Sequence, residues 1–131
     1  MGDLNHARML ILMARKDLEA LTGMVGGEPF ADEVFGLHAQ QAIEKALKSW
    51  LALLGIEYPR THNIAVLLSS LEDHGVDVEN LRTLDQYNSF AVQYRYEIFS
   101  ITEGVLDRED AVEHVTDLVE KVERLIQKAG S

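Results

Sequence analysis

The sequence contains no cysteine and only two prolines among its 131 residues. The absence of cysteine excludes a disulfide framework, thiolate catalysis and thiolate metal ligands, so a metal would have to use histidine and carboxylates. No stretch approaches the roughly 20 apolar residues that a membrane-spanning helix needs. The first residues also lack a basic segment followed by an apolar run, with which a secretory signal begins. We therefore expect a soluble, cytoplasmic chain.

Basic residues are scarce. The chain has 12 Lys and Arg against 22 Asp and Glu, a formal net charge of -10, and residues 61–131 alone carry 6 basic and 14 acidic side chains. Counterion release from a phosphate backbone needs clustered Lys and Arg, so this balance excludes an extended nucleic-acid surface. A single nucleotide pocket or a basic partner protein remains compatible with the charge.

The common enzyme motifs are missing as well. The sequence has no Gly-rich phosphate loop, no paired histidines around a glutamate, no nucleophile elbow and no calcium loop. Its five histidines are scattered, and none has the spacing of a metal ligand to another. We expect neither a metal nor a resident cofactor, which leaves a nucleotide as a possible ligand.

Apolar residues recur at spacings of three and four in five stretches, whereas the alternation typical of strands is rare. Asp3, Thr61 and Asp107 are the predicted N-caps of the first, third and fifth helices. The predicted helices run from Leu4 to about Met24, from about Phe30 to Leu54, from after Thr61 to before Gly75, over Leu84 to Ile101, and onwards from the residue after Asp107. The sequence thus predicts one all-α domain over residues 1–131, an antiparallel bundle of about five helices with a four-helix-bundle-like core.

The second predicted helix has an unusually wide apolar face. Its apolar residues from Phe35 to Leu54 cover about 180° of the helix surface, and Gln40 falls inside that arc. The width indicates a helix that packs against two neighbours. If the arc is buried, the Gln40 amide must have hydrogen-bond partners, because an unsatisfied buried amide costs about 1–3 kcal/mol.

Arg95 is the basic residue with the most informative position. It lies on the flank of the apolar stripe of the fourth predicted helix, between Tyr94 and Tyr96. A guanidinium held there needs anionic or carbonyl acceptors, since an unpaired buried charge is very costly. Two interpretations remain open: a structural salt bridge to Glu44 or Glu103, or a clamp for a phosphate.

Three signatures in the chain resemble the HEPN family. They are Phe35-Gly-Leu-His-Ala-Gln-Gln-Ala-Ile-Glu-Lys-Ala-Leu-Lys48, then Arg60-Thr-His-Asn-Ile64 followed by Leu67-Leu68, and finally Tyr94-Arg-Tyr-Glu97. With the flanking helices, the resemblance covers nearly the whole chain. It implies a helical bundle, commonly a homodimer, often encoded beside a minimal nucleotidyltransferase and proposed to bind nucleotides. Many relatives are ribonuclease toxins of toxin-antitoxin pairs.

The ribonucleases of that family use an Arg followed four to six residues later by a His, with the pair assembled across the dimer. No His follows Arg95 at that distance, so the resemblance is closest to the non-toxin branch. Arg108 and His114 have the formal spacing, but they lie about 120° apart on the last helix among acidic neighbours that repel RNA. We therefore assign no catalytic residue. If the chain is an enzyme, the acting pair is Arg108 with His114, or Arg95 with His38 or His62.

The sequence and the resemblance together predict a non-catalytic HEPN-type dimer that binds a nucleotide, a minimal nucleotidyltransferase partner, or both. In this hypothesis Gln41, Lys45 and Arg95 present donors to phosphate or base, and Glu44 orients Arg95. The wide apolar face of the second helix then contacts both the core and a second copy of the chain. The first alternative is a ribonuclease toxin. The second is a protein-only interaction module in which Arg95 forms a buried salt bridge.

Overall fold

The computed structural model describes residues 2–26, 32–88 and 107–131. All regular secondary structure in these ranges is helical: α1 (Leu4–Met24), α2 (Asp32–Leu53), α3 (Ile64–Asp73), a 3₁₀ helix (Glu79–Tyr87) and α4 (Arg108–Ala129). The helices pack against one another, α1 on α2 most extensively. This confirms the predicted all-α helical bundle.

The first two helices are antiparallel, and the chain start is fixed to the end of α2. The Asp3 backbone N–H donates to the Ala52 carbonyl over 2.9 Å, while the Asp3 side chain caps α1 as predicted by accepting from the His6 amide. Gly2 lies so close to the Leu53 carbonyl oxygen that an added Cβ would be 1.8 Å from it. Only glycine therefore fits at this position.

The last helix packs antiparallel to α1 and parallel to α2. Arg108, at the start of α4, donates through Nη1 to the Met24 carbonyl at the end of α1 (2.8 Å) and through Nε to Asp32 at the start of α2 (2.7 Å). At the other end of α4, Gly130 lies beside Arg8 near the start of α1. Asp107 is the N-cap, as predicted, and accepts from the Asp110 amide.

The core lies between α1, α2, α3 and α4, and α2 is its centre. Nine apolar residues of α2 are at most 5% exposed: Phe35, Ala39, Ala42, Ile43, Ala46, Leu47, Trp50, Leu51 and Ala52. These residues are buried within the single chain and offer no surface to a second copy, so the dimer contact predicted for them is not available. Leu54, at the end of the predicted arc, is 44% exposed.

Gln40 is buried among these apolar residues, at 1% exposure. Its Nε2 donates to Glu44 Oε1 over 3.1 Å and to the His62 carbonyl over 2.8 Å. The expectation that this amide has partners in the core is confirmed, and the second bond ties α2 to the segment that precedes α3.

Two local predictions need correction. Asn63, not Thr61, is the N-cap of α3: the backbone stays extended through Asn63, whose side chain accepts from the Ala65 amide, while the Thr61 hydroxyl accepts from the Asn63 amide. The start of the predicted fourth helix is a 3₁₀ helix that begins at Glu79. The remainder of that predicted helix, including Arg95, lies outside the described residues.

Candidate functional site

One polar stripe runs along α2 on the side away from its buried arc. It consists of His38, Gln41, Lys45 and Lys48, which recur at gaps of three, four and three and therefore lie on one line of the helix surface. All four are half-buried. Two buried carboxylates, Asp17 from α1 and Glu44 from α2, lie beside it and are each 8% exposed. We call these six residues the α2 polar stripe.

Glu44 accepts hydrogen bonds from three side chains. Lys48 Nζ is 2.9 Å from Oε2, His62 Nδ1 is 2.8 Å from Oε1, and Gln40 Nε2 is 3.1 Å from Oε1. An ionised carboxylate only accepts, so the histidine must carry its proton on Nδ1. Glu44 thereby fixes the direction of the Lys48 ammonium and holds the segment before α3 against α2.

The environment of Glu44 favours its ionised form. Burial opposes ionisation, but the hydrogen bonds from Lys48, His62 and Gln40 outweigh it and lower the pKa of Glu44 below its ordinary value of 4.5. A buried carboxylate is tolerated in a fold when hydrogen-bond donors, here three, compensate its charge. Glu44 is therefore a fixed negative charge that positions cationic donors.

Aromatic contacts extend this network toward the start of α1. Lys48 Nζ lies 5.6 Å from the centre of the Tyr58 ring, a cation–π contact. The Tyr58 hydroxyl is in turn 2.7 Å from His6 Nε2. Lys48 is thus held by a carboxylate on one side and an aromatic face on the other, while 14% of its side chain stays exposed.

Asp17 holds the other half of the stripe. Its Oδ2 accepts from Lys45 Nζ over 2.8 Å, and its Oδ1 lies 3.0 Å from His38 Nδ1. The Lys45 and His38 side chains remain 24% and 33% exposed. This carboxylate therefore orients two partly exposed nitrogen-bearing groups along the same face of α2.

The stripe can present cationic donors to an anion. Each Lys ammonium carries three N–H donors, and the bonds to Asp17 and Glu44 each use one. Two lysines offset two carboxylates, so the stripe is locally neutral on a chain whose net charge is -10.

The alternative catalytic pair contacts two different parts of the fold. Arg108 bonds to Asp32 and the Met24 carbonyl and lies over the Phe35 ring, with 10% of its side chain exposed. His114 Nδ1 is 3.0 Å from the Tyr87 hydroxyl of the 3₁₀ helix. Burial, followed by the charges of Asp110 and Asp107, raises the pKa of Tyr87 to about 12, so this phenol stays protonated at neutral pH.

A cavity of about 330 Å³ adjoins His114, between the 3₁₀ helix and α4. Its charged lining is mixed, with Asp117 and Glu120 beside Lys121 and Arg124. Lys121 also lies over the Trp50 ring, 5.2 Å from its centre. These four charged residues are all exposed, in contrast to the half-buried lysines of the α2 polar stripe.

Three of the four predicted nucleotide-binding residues, Gln41, Glu44 and Lys45, lie together on the stripe, whereas Arg95 lies outside the described residues. Sequence reasoning assigned no role to Asp17 or to Lys48. Both left a signal. Asp17 falls on the apolar face of α1, three residues after Ala14 and four before Leu21, and Lys48 follows Glu44 by four residues.

Residues 2–26, 32–88 and 107–131 contain no group of three or more His, Cys, Asp or Glu side chains that could hold a metal ion. No helix in the same ranges is long and apolar enough to cross a membrane.

Comparison with protein families adds one finding. A family model described as HEPN domain matches residues 7–129. No curated protein and no solved structure matches the chain significantly. The matched range includes every residue of the α2 polar stripe.

Proposed function

The chain belongs to the HEPN domain family, and from this premise we propose that it is a non-catalytic, cytoplasmic homodimer that binds a nucleotide through the α2 polar stripe. The observation that carries the proposal is the pair of buried carboxylates, Asp17 and Glu44, that hold Lys45 and Lys48 on one partly exposed face. A minimal nucleotidyltransferase is the protein partner that we propose for the same surface.

The ordered ammonium groups of the stripe support a phosphate ligand. On a chain with a net charge of -10, Lys45 and Lys48 give this face the donors that a nucleotide phosphate requires. Gln41, half-buried beside them, can donate to or accept from a base. Our proposal keeps Arg95 as a further phosphate donor.

The contacts of Lys45 and Lys48 set how the ligand would be bound. Neither ammonium has to leave its carboxylate, because each retains donors beyond the bond to Asp17 or Glu44. The carboxylates restrict the lysine side chains before binding, so less side-chain entropy is lost when the phosphate arrives. The cost is electrostatic, since Asp17 and Glu44 repel the ligand and limit its affinity.

Calorimetric titration with ATP and related nucleotides tests the proposal. We expect saturable heat with the wild type and an affinity about tenfold lower for Lys45→Gln. One charge-assisted hydrogen bond is worth about 1.5–3 kcal/mol, and the lower value corresponds to about this loss. Lys128→Gln is the matched control, since Lys128 is an exposed lysine at the end of α4. Its affinity should stay within about twofold of wild type.

No heat with the wild type at millimolar nucleotide would exclude the nucleotide part of the proposal. An equal loss of affinity in Lys45→Gln and Lys128→Gln would instead show that binding follows net charge and not the stripe. The partner part is tested separately by copurification of tagged protein with a nucleotidyltransferase encoded beside it. Intact copurification of Lys45→Gln and Lys48→Gln would exclude the stripe as the contact surface.

A further inference from the structure

A second cavity opens where the start of α1 meets the connection that follows α2. Its volume is about 370 Å³, within the range of small-molecule sites. Its lining includes two rings, two carboxylates and two apolar residues: Asp3, His6, Ala52, Ile56, Glu57 and Tyr58. We propose that this cavity holds the base of a guanine nucleotide whose phosphates bind the α2 polar stripe. This inference rests on the nucleotide of the proposed function and identifies its base.

Tyr58 joins the cavity to the stripe. Its ring lines the cavity, and Lys48 Nζ lies 5.6 Å from the centre of that ring. The cavity therefore begins one aromatic ring away from an ammonium that Glu44 holds in place. In a nucleotide, one ribose of similar width separates the base from the first phosphate. A single ligand can thus contact Lys48 through its phosphate and the cavity through its base.

The order of charges along this surface matches the two ends of a nucleotide. Lys48 attracts the phosphate, whereas the carboxylates of Asp3 and Glu57 can only accept hydrogen bonds and therefore favour an N–H-bearing group in the cavity. Asp3 caps α1 through Oδ1, which leaves Oδ2 for a ligand. Glu57 is exposed and is the carboxylate that we assign to the base.

A carboxylate at this position selects guanine among the bases. Guanine presents two adjacent N–H donors, at N1 and at its 2-amino group, and one carboxylate can accept both side by side, as it does from an arginine. Adenine and cytosine place an acceptor nitrogen beside their amino group, and a carboxylate repels that acceptor. The His6 and Tyr58 rings lie parallel, with centres 6.0 Å apart, and provide a fixed aromatic wall for a planar base.

Calorimetric titration with GTP and with ATP tests the choice of base. The two ligands carry identical phosphates, so the ratio of their dissociation constants reports on the base alone. We expect GTP to bind the wild type at least about fivefold more tightly than ATP, the lower end for a bidentate base contact, because Glu57 is exposed. Glu57→Gln and Glu57→Lys should bring the ratio to within about twofold of one. Circular dichroism should find both variants folded.

Two control variants should keep the wild-type ratio. Glu113→Gln makes the same change of charge as Glu57→Gln at an exposed position on α4. Gln41→Ala alters the stripe on the far side of Lys45 from Lys48, where a base held in the cavity is out of reach. Both nucleotides should therefore lose affinity equally if Gln41 contacts the phosphates.

A photoreactive base locates the site directly. On irradiation, 6-thioguanosine triphosphate crosslinks through its base to the residues that it touches. We expect the label on peptides that contain His6 or Tyr58, and unlabelled GTP should compete it away. Label on the peptide around His114, which adjoins the other cavity, or no label at saturating nucleotide, would contradict the proposed position of the base.

The outcomes separate this cavity from the proposed function. No heat with either nucleotide at millimolar concentration would overturn both the nucleotide and this inference. If Lys45→Gln weakens the binding of both nucleotides but the wild type does not prefer GTP, the guanine cavity alone is wrong. A preference for GTP that survives Glu57→Lys, or that Gln41→Ala removes, would overturn the cavity in the same way and leave the stripe as the phosphate site.

Discussion

The two carboxylates of the α2 polar stripe have the same exposure but are held in different ways. Glu44 has two of its three partners, Gln40 and Lys48, on its own helix, four residues to either side. Asp17 on α1 has both of its partners, His38 and Lys45, on α2. Glu44 thus mainly orders one helix surface, whereas Asp17 joins two helices.

The partners of the two carboxylates also differ in their exposure to solvent. The partners of Asp17 are 24% and 33% exposed, so water can replace the carboxylate if it is removed. Gln40 is 1% exposed and the Lys48 side chain 14%, so they have little access to water. Loss of Glu44 should therefore cost more than loss of Asp17, although Asp17 makes the contact between helices.

The largest effect is expected for Glu44→Ala. Removing this carboxylate leaves the Gln40 amide without one acceptor and the Lys48 ammonium without its counterion in a buried setting. We expect the free energy of unfolding to fall by about 3 kcal/mol, within the range for breaking a buried pair. Chemical denaturation measures the change. Glu113→Ala, at an exposed glutamate of α4, is the control and should stay within about 0.5 kcal/mol of wild type.

The second prediction concerns Asp17→Ala. Lys45 and His38 lose their acceptor but can turn toward water, so we expect a loss of about 2 kcal/mol, mainly from the missing contacts between α1 and α2. Asp117→Ala, on the exposed face of α4, should be nearly neutral. If Asp17→Ala costs more than Glu44→Ala in the same denaturation series, our contrast between the two carboxylates is wrong.

The same contrast explains what the sequence could predict. Contacts within a helix follow from spacing, so the bounds of α1, the buried arc of α2, the Gln40 requirement and the Asp107 cap were all accessible to pattern reasoning. The Glu44–Lys48 pair was accessible too, at a spacing of four. The family resemblance placed Gln41, Glu44 and Lys45 on the candidate site.

Contacts between distant segments were not accessible. Nothing in the local sequence indicates that Asp17 meets residues 21 and 28 positions later, because helix packing decides which faces meet. The cap of α3 was missed for a related reason. Thr61 and Asn63 are both good caps, and the Ile64 amide donates over 2.8 Å to the side-chain oxygen of Asn88, far along the chain.

The smallest effect should appear on the acid side of the pH–stability curve. The folded pKa of Glu44 lies below its ordinary value of 4.5, which the unfolded chain retains. The unfolded state therefore binds the proton more readily, and the stability that Glu44 contributes is fully present above pH 4.5 and is lost as the pH falls through its folded pKa. The Glu44→Gln variant has a neutral side chain of the same shape at this position, so it cannot show this loss.

We therefore expect the difference in unfolding free energy between wild type and Glu44→Gln to be constant near neutral pH and to shrink as the pH falls below 4.5. Urea denaturation at a series of pH values measures it, with Glu113→Gln as the control whose difference from wild type should not follow this course. A difference between wild type and Glu44→Gln that stays constant down to pH 3 would mean that folding does not favour the ionised form of Glu44. Its hydrogen bonds to Lys48 and His62 would then orient those groups without the fixed negative charge that we assign to Glu44.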